Sequence, residues 1–105
     1  EQAAMLDLLC GGRLRFGMGR GLARREFTAF RGTMDESRAR FDEAAPMIVD
    51  ALRTGWIEGR GPLYPQPRVE IRPRPPHSFD GRIYAVASSE DSIDSAAKLG
   101  AHMVM

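Results

Sequence analysis

A chain of 105 residues with 43% apolar residues, 28% charged residues and a net charge of +1 has the balance of one small globular domain. It has no charge excess to draw it to nucleic acid or to a membrane surface, and no apolar run approaches the roughly 18 residues of a membrane-spanning helix. A single cysteine, Cys10, excludes an internal disulfide and a cysteine metal cluster.

The start, Glu1-Gln2-Ala3-Ala4, lacks the basic-then-apolar pattern of a signal peptide, which makes cytoplasm the default location. It also lacks an initiator Met, as expected of a chain cut at its front. Residues Gln2 to Cys10 read as the end of a helix. Met5, Leu8 and Leu9 fall at i, i+3 and i+4, and Gly11-Gly12 supply the stop. Leu14 to Gly19 alternates with period two, which predicts a strand, and its second face carries only Gly17 and Gly19 beyond Arg15. Glycines on one strand face mark close approach by a ligand or another backbone.

A polar loop follows from Arg20 to about Gly32. Thr33 and Glu36 then stand three apart as a capping box, opening a helix to Thr54 that Gly55 closes. Phe41, Ala45, Ile48 and Leu52 form its apolar stripe, and Glu36–Arg40 and Arg38–Asp42 are i,i+4 ion pairs on the wet side. Pro46 is a misfit that removes a helical hydrogen bond, at about 3 kcal/mol unless the helix kinks.

Glu58 to His77 is crowded with prolines and reads as a loop, with Val69 and Ile71 as a short edge strand. A second core strand spans Arg82 to Ala87. Ser88-Ser89 turns the chain into a third helix from Glu90 to Leu99, with Ile93, Ala96 and Ala97 inside and Gly100 at its end. Ala101 to Met105 begins a third strand. Strands alternating with helices predict parallel βαβ units with right-handed connections, in the order helix, strand, helix, strand, helix, strand. Three such strands leave apolar faces and edges open, which favours association between copies.

Several blocks in this order resemble the luciferase-like flavin-dependent monooxygenases, bacterial luciferase branch. The first is Gly12-Arg13-Leu14-Arg15-Phe16-Gly17-Met18-Gly19-Arg20-Gly21-Leu22, similar to the fourth barrel strand of that family. The likeness continues through Glu26-Phe27, Phe30 and Met34 to Ala39, and resumes at Tyr84 to Ser89 and Ala96 to Gly100. It covers nearly the whole chain. It implies an α/β fold, here a partial (β/α)8 TIM barrel of about three consecutive βα units. Residues 1–105 would be a central segment of a barrel that needs roughly 250 residues when complete, and such a segment alone is expected to be inactive.

The resemblance also implies an FMN phosphate site held by Arg20 and Leu22 after the first strand and by Ser88, Ser89 and Ser92 after the second. Elementary physics agrees. A helix N-terminus favours anions, strand C-terminal ends carry barrel active sites, and an arginine fork grips phosphate. Ser88 and Ser89 read equally as helix N-caps, Arg20 as a surface arginine, and the Arg-rich composition as the drift of a GC-rich genome. Glu90 and Asp91 bring negative charge to the same helix start, where they also complement its dipole.

In the family, reduced FMN from a separate flavin reductase reacts with oxygen and a small organic substrate is oxidised. A related branch uses a deazaflavin instead, and a non-catalytic remnant is the third reading. Gly19 stands where luciferases often carry a reactive cysteine, and Ala23 replaces an aromatic residue. The likeness therefore carries flavin use further than luminescence. Homo-oligomerisation is implied through the first helix. Cys10, His77, His102, Tyr84 and Trp56 all read as structural, and no spacing suggests a metal site.

Overall fold

The computed structural model describes residues 1–19, 34–75, 77–87 and 89–104. Its elements run α1 (Gln2–Leu9), β1 (Phe16–Met18), α2 (Met34–Thr54), β2 (Trp56–Gly59), β3 (Gln66–Glu70), β4 (Ile83–Val86), α3 (Glu90–Leu99) and β5 (His102–Val104). β1, β4 and β5 form one parallel sheet in that order, with Phe16 opposite Ile83 and Tyr84 opposite His102. The alternating pattern thus yields the expected parallel α/β core. None of the described helices is long and apolar enough to cross a membrane.

The helices cover one face of this sheet. Ala45, Val49 and Leu52 of α2 pack with Phe79, Ile83 of β4 and Leu99 of α3, and Phe16 and Met18 of β1 close against them. Each buried Val, Leu, Ile or Phe there stabilises by about 1.5–3 kcal/mol. Ala85 and Ala87 meet Ala96 in a second layer whose small side chains let α3 lie close to the strand. Among the described residues, no helix covers the opposite face, which carries Gly17, Tyr84 and Val86.

α2 runs unbroken through Pro46, whose ring is exposed, so the missing hydrogen bond falls on the solvent side. Its stripe is centred on Ala45, Val49 and Leu52, with Phe41 and Ile48 partly buried at its margin. Both anticipated ion pairs form, at 2.9 Å for Arg40–Glu36 and 3.4 Å for Arg38–Asp42. Arg38 is not simply on the wet side, because its Nη1 also donates to Ser95 Oγ of α3 at 3.2 Å. Thr33, the expected cap, lies outside the described residues.

Three expectations need correction. The stretch read as loop holds an antiparallel hairpin, β2–β3, with Trp56 opposite Glu70 and Ile57 opposite Val69. It tolerates prolines because a bulge between the Ile57 and Gly59 pairs takes Pro67 out of the ladder. Glu43 of α2 fastens its connecting loop by accepting from the amides of Leu63 and Tyr64. Ile71 follows the strand rather than joining it, and is buried. In α1, Met5, Leu8 and Leu9 are exposed, while Ala4 and Asp7 are the buried positions. In α3, Ala96 is inside as expected, but Ile93 and Ala97 are exposed and the other buried positions are Ser92 and Leu99.

Asp7 sets the orientation of α1. It is wholly buried and receives both terminal nitrogens of Arg82: Nη1 on Oδ1, and Nη2 on Oδ2 at 3.1 Å. Its Oδ1 also accepts the Leu14 amide at 3.0 Å. Arg82 in turn donates to the carbonyls of Leu14 (2.8 Å) and Ser78 (2.6 Å) and lies over the Phe79 ring. This bidentate hydrogen bond from Arg82 holds the Asp7 carboxyl below the usual carboxylate range against the opposing effect of burial. The pair sits before the N-terminal ends of β1 and β4, where it joins α1, the β1 approach and the β4 approach.

Candidate functional site

The C-terminal ends of β1 and β4 lie side by side. A Cβ placed on Gly19 would stand 3.5 Å from Val86 Cγ2, so Gly19 and Val86 share the helix-free face. Gly17 neighbours Tyr84 on the same face, where an added Cβ would lie 4.0 Å from Tyr84 Cβ. Both are ordinary contact distances, so no steric conflict inside the fold requires glycine here. These glycines leave a strip of β1 without side chains directly beside β4, as the period-two reading expected.

After β4 the chain turns into α3 through Ser89. Ser89 is the N-cap with φ −134° and ψ 164°, and with Ser92 it forms a reciprocal capping box. The Ser92 amide donates to Ser89 Oγ at 3.3 Å, and the Ser89 amide donates to Ser92 Oγ at 2.8 Å. The two hydroxyl oxygens are 3.0 Å apart, and Ser92 Oγ also donates to the Ser89 carbonyl at 2.8 Å. The box therefore satisfies the third amide of the helix. The first two, on Glu90 and Asp91, precede any intrahelical acceptor by helix geometry. The Glu90 and Asp91 side chains are exposed.

Of the five residues expected at an anion site, the structure brings Ser89 and Ser92 together, while Arg20, Leu22 and Ser88 lie outside the described residues. The N-cap reading of Ser89 is correct. It is compatible with anion binding, because a capping hydroxyl fixes the direction of the free amides. Amides and hydroxyls at a helix N-terminus suit a phosphate monoester, and the adjoining side-chain-free strip suits a flat ring attached to it.

Sequence reasoning missed the Asp7–Arg82 pair, for which a lone acid on an otherwise apolar turn before the Gly11-Gly12 stop was the available signal. Cys10 is half-buried, and its carbonyl accepts Arg13 Nε at 2.7 Å. His77 is exposed beside Gly12, and Trp56 is half-buried with the Arg68 guanidinium 4.1 Å from its ring centroid.

The family model described as luciferase-like monooxygenase matches residues 1–105. The alkanal monooxygenase alpha chain of Photorhabdus luminescens is 30% identical over 105 residues, covering all of this chain and 29% of that protein. The corresponding beta chain is 28% identical over 104 residues, covering 99% and 32%. Among solved structures, monooxygenase RslO1 from Streptomyces bottropensis superposes with a TM-score of 0.74 at 31% identity, over 97% of this chain and 31% of that one. The chain thus spans about a third of the length of the relatives it matches.

Proposed function

The chain belongs to the luciferase-like monooxygenase family, and on that premise we propose that the whole protein uses reduced FMN and oxygen to oxidise a small organic substrate. Residues 1–105 are then a central segment of a (β/α)8 barrel. The helix-free sheet face is its lumen, and the ends of β1 and β4 are part of the cofactor site. The observation that carries this reading is the juxtaposition of the bare Gly17–Gly19 strip with the capped N-terminus of α3, both at the C-terminal ends of parallel strands.

FMN, when bound, supplies the redox chemistry. The chain's own residues bind and orient it. The amides of Glu90 and Asp91 receive the phosphate, Ser89 and Ser92 hold those amides in place, and Arg20 and Leu22 complete the phosphate side. Gly17 and Gly19 make room for the ring system. A flavin reductase supplies the reduced cofactor, and association between copies runs through α1, whose Leu6 and Leu9 stand exposed.

The test compares FMN with riboflavin, which lacks the phosphate, in the full-length protein. Arg20→Ala should weaken FMN by roughly ten-fold or more, the value of a charge-assisted contact of about 1.5–3 kcal/mol, and leave riboflavin nearly unchanged. Equal losses for both would assign Arg20 to structure. Preference for a deazaflavin over FMN in the same titration would move the protein to the deazaflavin branch, and absence of any flavin affinity would make it a non-catalytic member.

A further inference from the structure

α2 and α3 each follow a strand of the parallel sheet, so both run back from its C-terminal ends, side by side and in the same direction. Near their starts they are joined by three side chains. Arg38 Nη1 donates to Ser95 Oγ at 3.2 Å, Ser95 Oγ donates to Asp42 Oδ1 at 3.1 Å, and Arg38 Nη1 reaches the same Oδ1 at 3.4 Å. Three polar atoms from two helices thus close a triangle. Lower down, Arg53 Nη2 of α2 donates to the Leu99 carbonyl of α3 at 3.2 Å. Between these contacts lies a gap of about 320 Å³ walled by Phe41, Ala45, Pro46, Val49 and Leu99. Ala96 and Leu99 pack inward on the shared core, so among the described residues the two polar contacts join the helices outside it.

The triangle stands where it governs the candidate site. Ser95 follows Ser92 by three positions, which puts both on one face of α3, and Ser92 closes the capping box on Ser89. At about 1.5 Å per residue, Ser95 lies roughly 9 Å along the axis from Ser89, and Leu99 roughly 15 Å. A helix pinned at Leu99 alone is free to swing its first turn, and the pin at Ser95 removes that freedom. The arrangement is not tuned for stability. The ion pair to Asp42 is partly exposed and so worth little, and Arg38 Nε is buried beside it without a hydrogen-bond partner, which is costly. What the triangle supplies is position.

We propose that Asp42 and Ser95 are positioning residues for the cofactor phosphate. With Arg38 they hold the start of α3 against α2, and so aim the amides of Glu90 and Asp91. This rests on the reading of that helix N-terminus as the phosphate site. Asp42 and Ser95 act through the direction of α3 rather than by touching the cofactor. A misplacement of about 1 Å at a positioned group is enough to lose much of its effect. The flavin ring, seated on the Gly17–Gly19 strip, does not depend on the triangle.

The experiment is fluorescence titration of FMN and riboflavin into the full-length protein. Ser95→Ala and Asp42→Ala should each weaken FMN about three- to ten-fold, the worth of one hydrogen bond, and leave riboflavin within about two-fold of wild type. Ser95→Thr keeps the hydroxyl and should match wild type. The double variant should fall short of the sum of the two single losses, since both open the same triangle. Asp50→Ala, lower in the same gap, should change neither flavin. Equal losses of both flavins, or no loss of FMN in either single variant, would overturn the proposal. Amide hydrogen exchange gives a reading independent of flavin. The Ser92 and Ile93 amides, held by Ser89, should exchange faster in Ser95→Ala, while the Gly100 amide, held by Ala97, stays unchanged. Unaltered exchange at the start of α3 would also overturn it. A wild-type protein that binds no FMN refutes the flavin reading instead, and the exchange rates still decide whether the triangle sets the start of α3.

Discussion

In Asp7→Ala the carboxylate facing Arg82 is removed while the guanidinium stays. The Arg82 side chain is 16% exposed and Asp7 is fully buried, so water cannot replace the lost partner well. Breaking a buried pair from one side costs about 3–5 kcal/mol. That is a large share of the roughly 5–15 kcal/mol that holds a domain folded. Asp7→Asn is the gentler change: the side-chain oxygen still accepts from Leu14 and Arg82 Nη1, but the amide nitrogen in place of Oδ2 meets Arg82 Nη2 donor to donor, so one hydrogen bond and the charge assistance are lost, about 1.5–3 kcal/mol. With a urea dependence of about 1–3 kcal/mol per M, the Asn variant should unfold roughly 1 M earlier, as followed by circular dichroism.

The same pair fixes a pH dependence. The Asp7 carboxyl titrates below its ordinary value of about 3.9 because Arg82 binds the charged form. Its contribution to stability is therefore fully present above that ordinary value and is lost as pH falls through the lower folded one. Asp7→Asn should flatten this part of the acid limb of the stability profile and leave the neutral region parallel to wild type. An Asn variant within about 0.5 kcal/mol of wild type at pH 7, with the same acid limb, would refute the assignment of Asp7 as the lock on α1.

Two further substitutions probe separate features. Gly100 closes α3 at φ 66°, and a Cβ there would stand 3.2 Å from Arg53 Nη2, which itself donates to the Leu99 carbonyl. Gly100→Ala should cost about 1 kcal/mol in a chemical denaturation curve, and a neutral result would mean the turn relaxes without strain. Gly19→Val places a side chain on the bare strip in ordinary contact with Val86. Stability should stay within about 1 kcal/mol of wild type while flavin affinity falls measurably, and unaltered affinity would remove Gly19 from the cofactor site.

The parallel sheet and α3 were legible because their signals are local. Period-two alternation marks β1 and β4, and Ser89 with Gly100 brackets α3 to the residue. The hairpin was not, because its prolines argue against strands unless a bulge removes them from the ladder, and a bulge leaves little local signal. The burial of α1 was misjudged for a different reason. Its apolar residues outnumber its polar ones, but one ion pair with Arg82, 75 positions away, decides which side faces in. At the candidate site, the serine cap was readable from the residues before α3, whereas the lateral neighbours of Gly17 and Gly19 depend on register between two strands, which sequence spacing does not give.

The sheet therefore separates two kinds of work along its strands. Asp7 and Arg82 lock the N-terminal end, and the bare glycine strip and the α3 cap lie at the other. β4 alone, four residues at about 3.3 Å each, puts roughly 13 Å between them. Substitutions farther apart than about 7–10 Å without shared partners add in free energy. Ser89→Ala removes a capping hydroxyl and should cost about 1 kcal/mol. The double variant Asp7→Asn with Ser89→Ala should then lose the sum of the two single losses to within about 0.5 kcal/mol in urea titrations of all four proteins. A coupling above about 1 kcal/mol would show that strain at the locked end reaches the α3 cap, and the division of the sheet into a structural end and a binding end would fail.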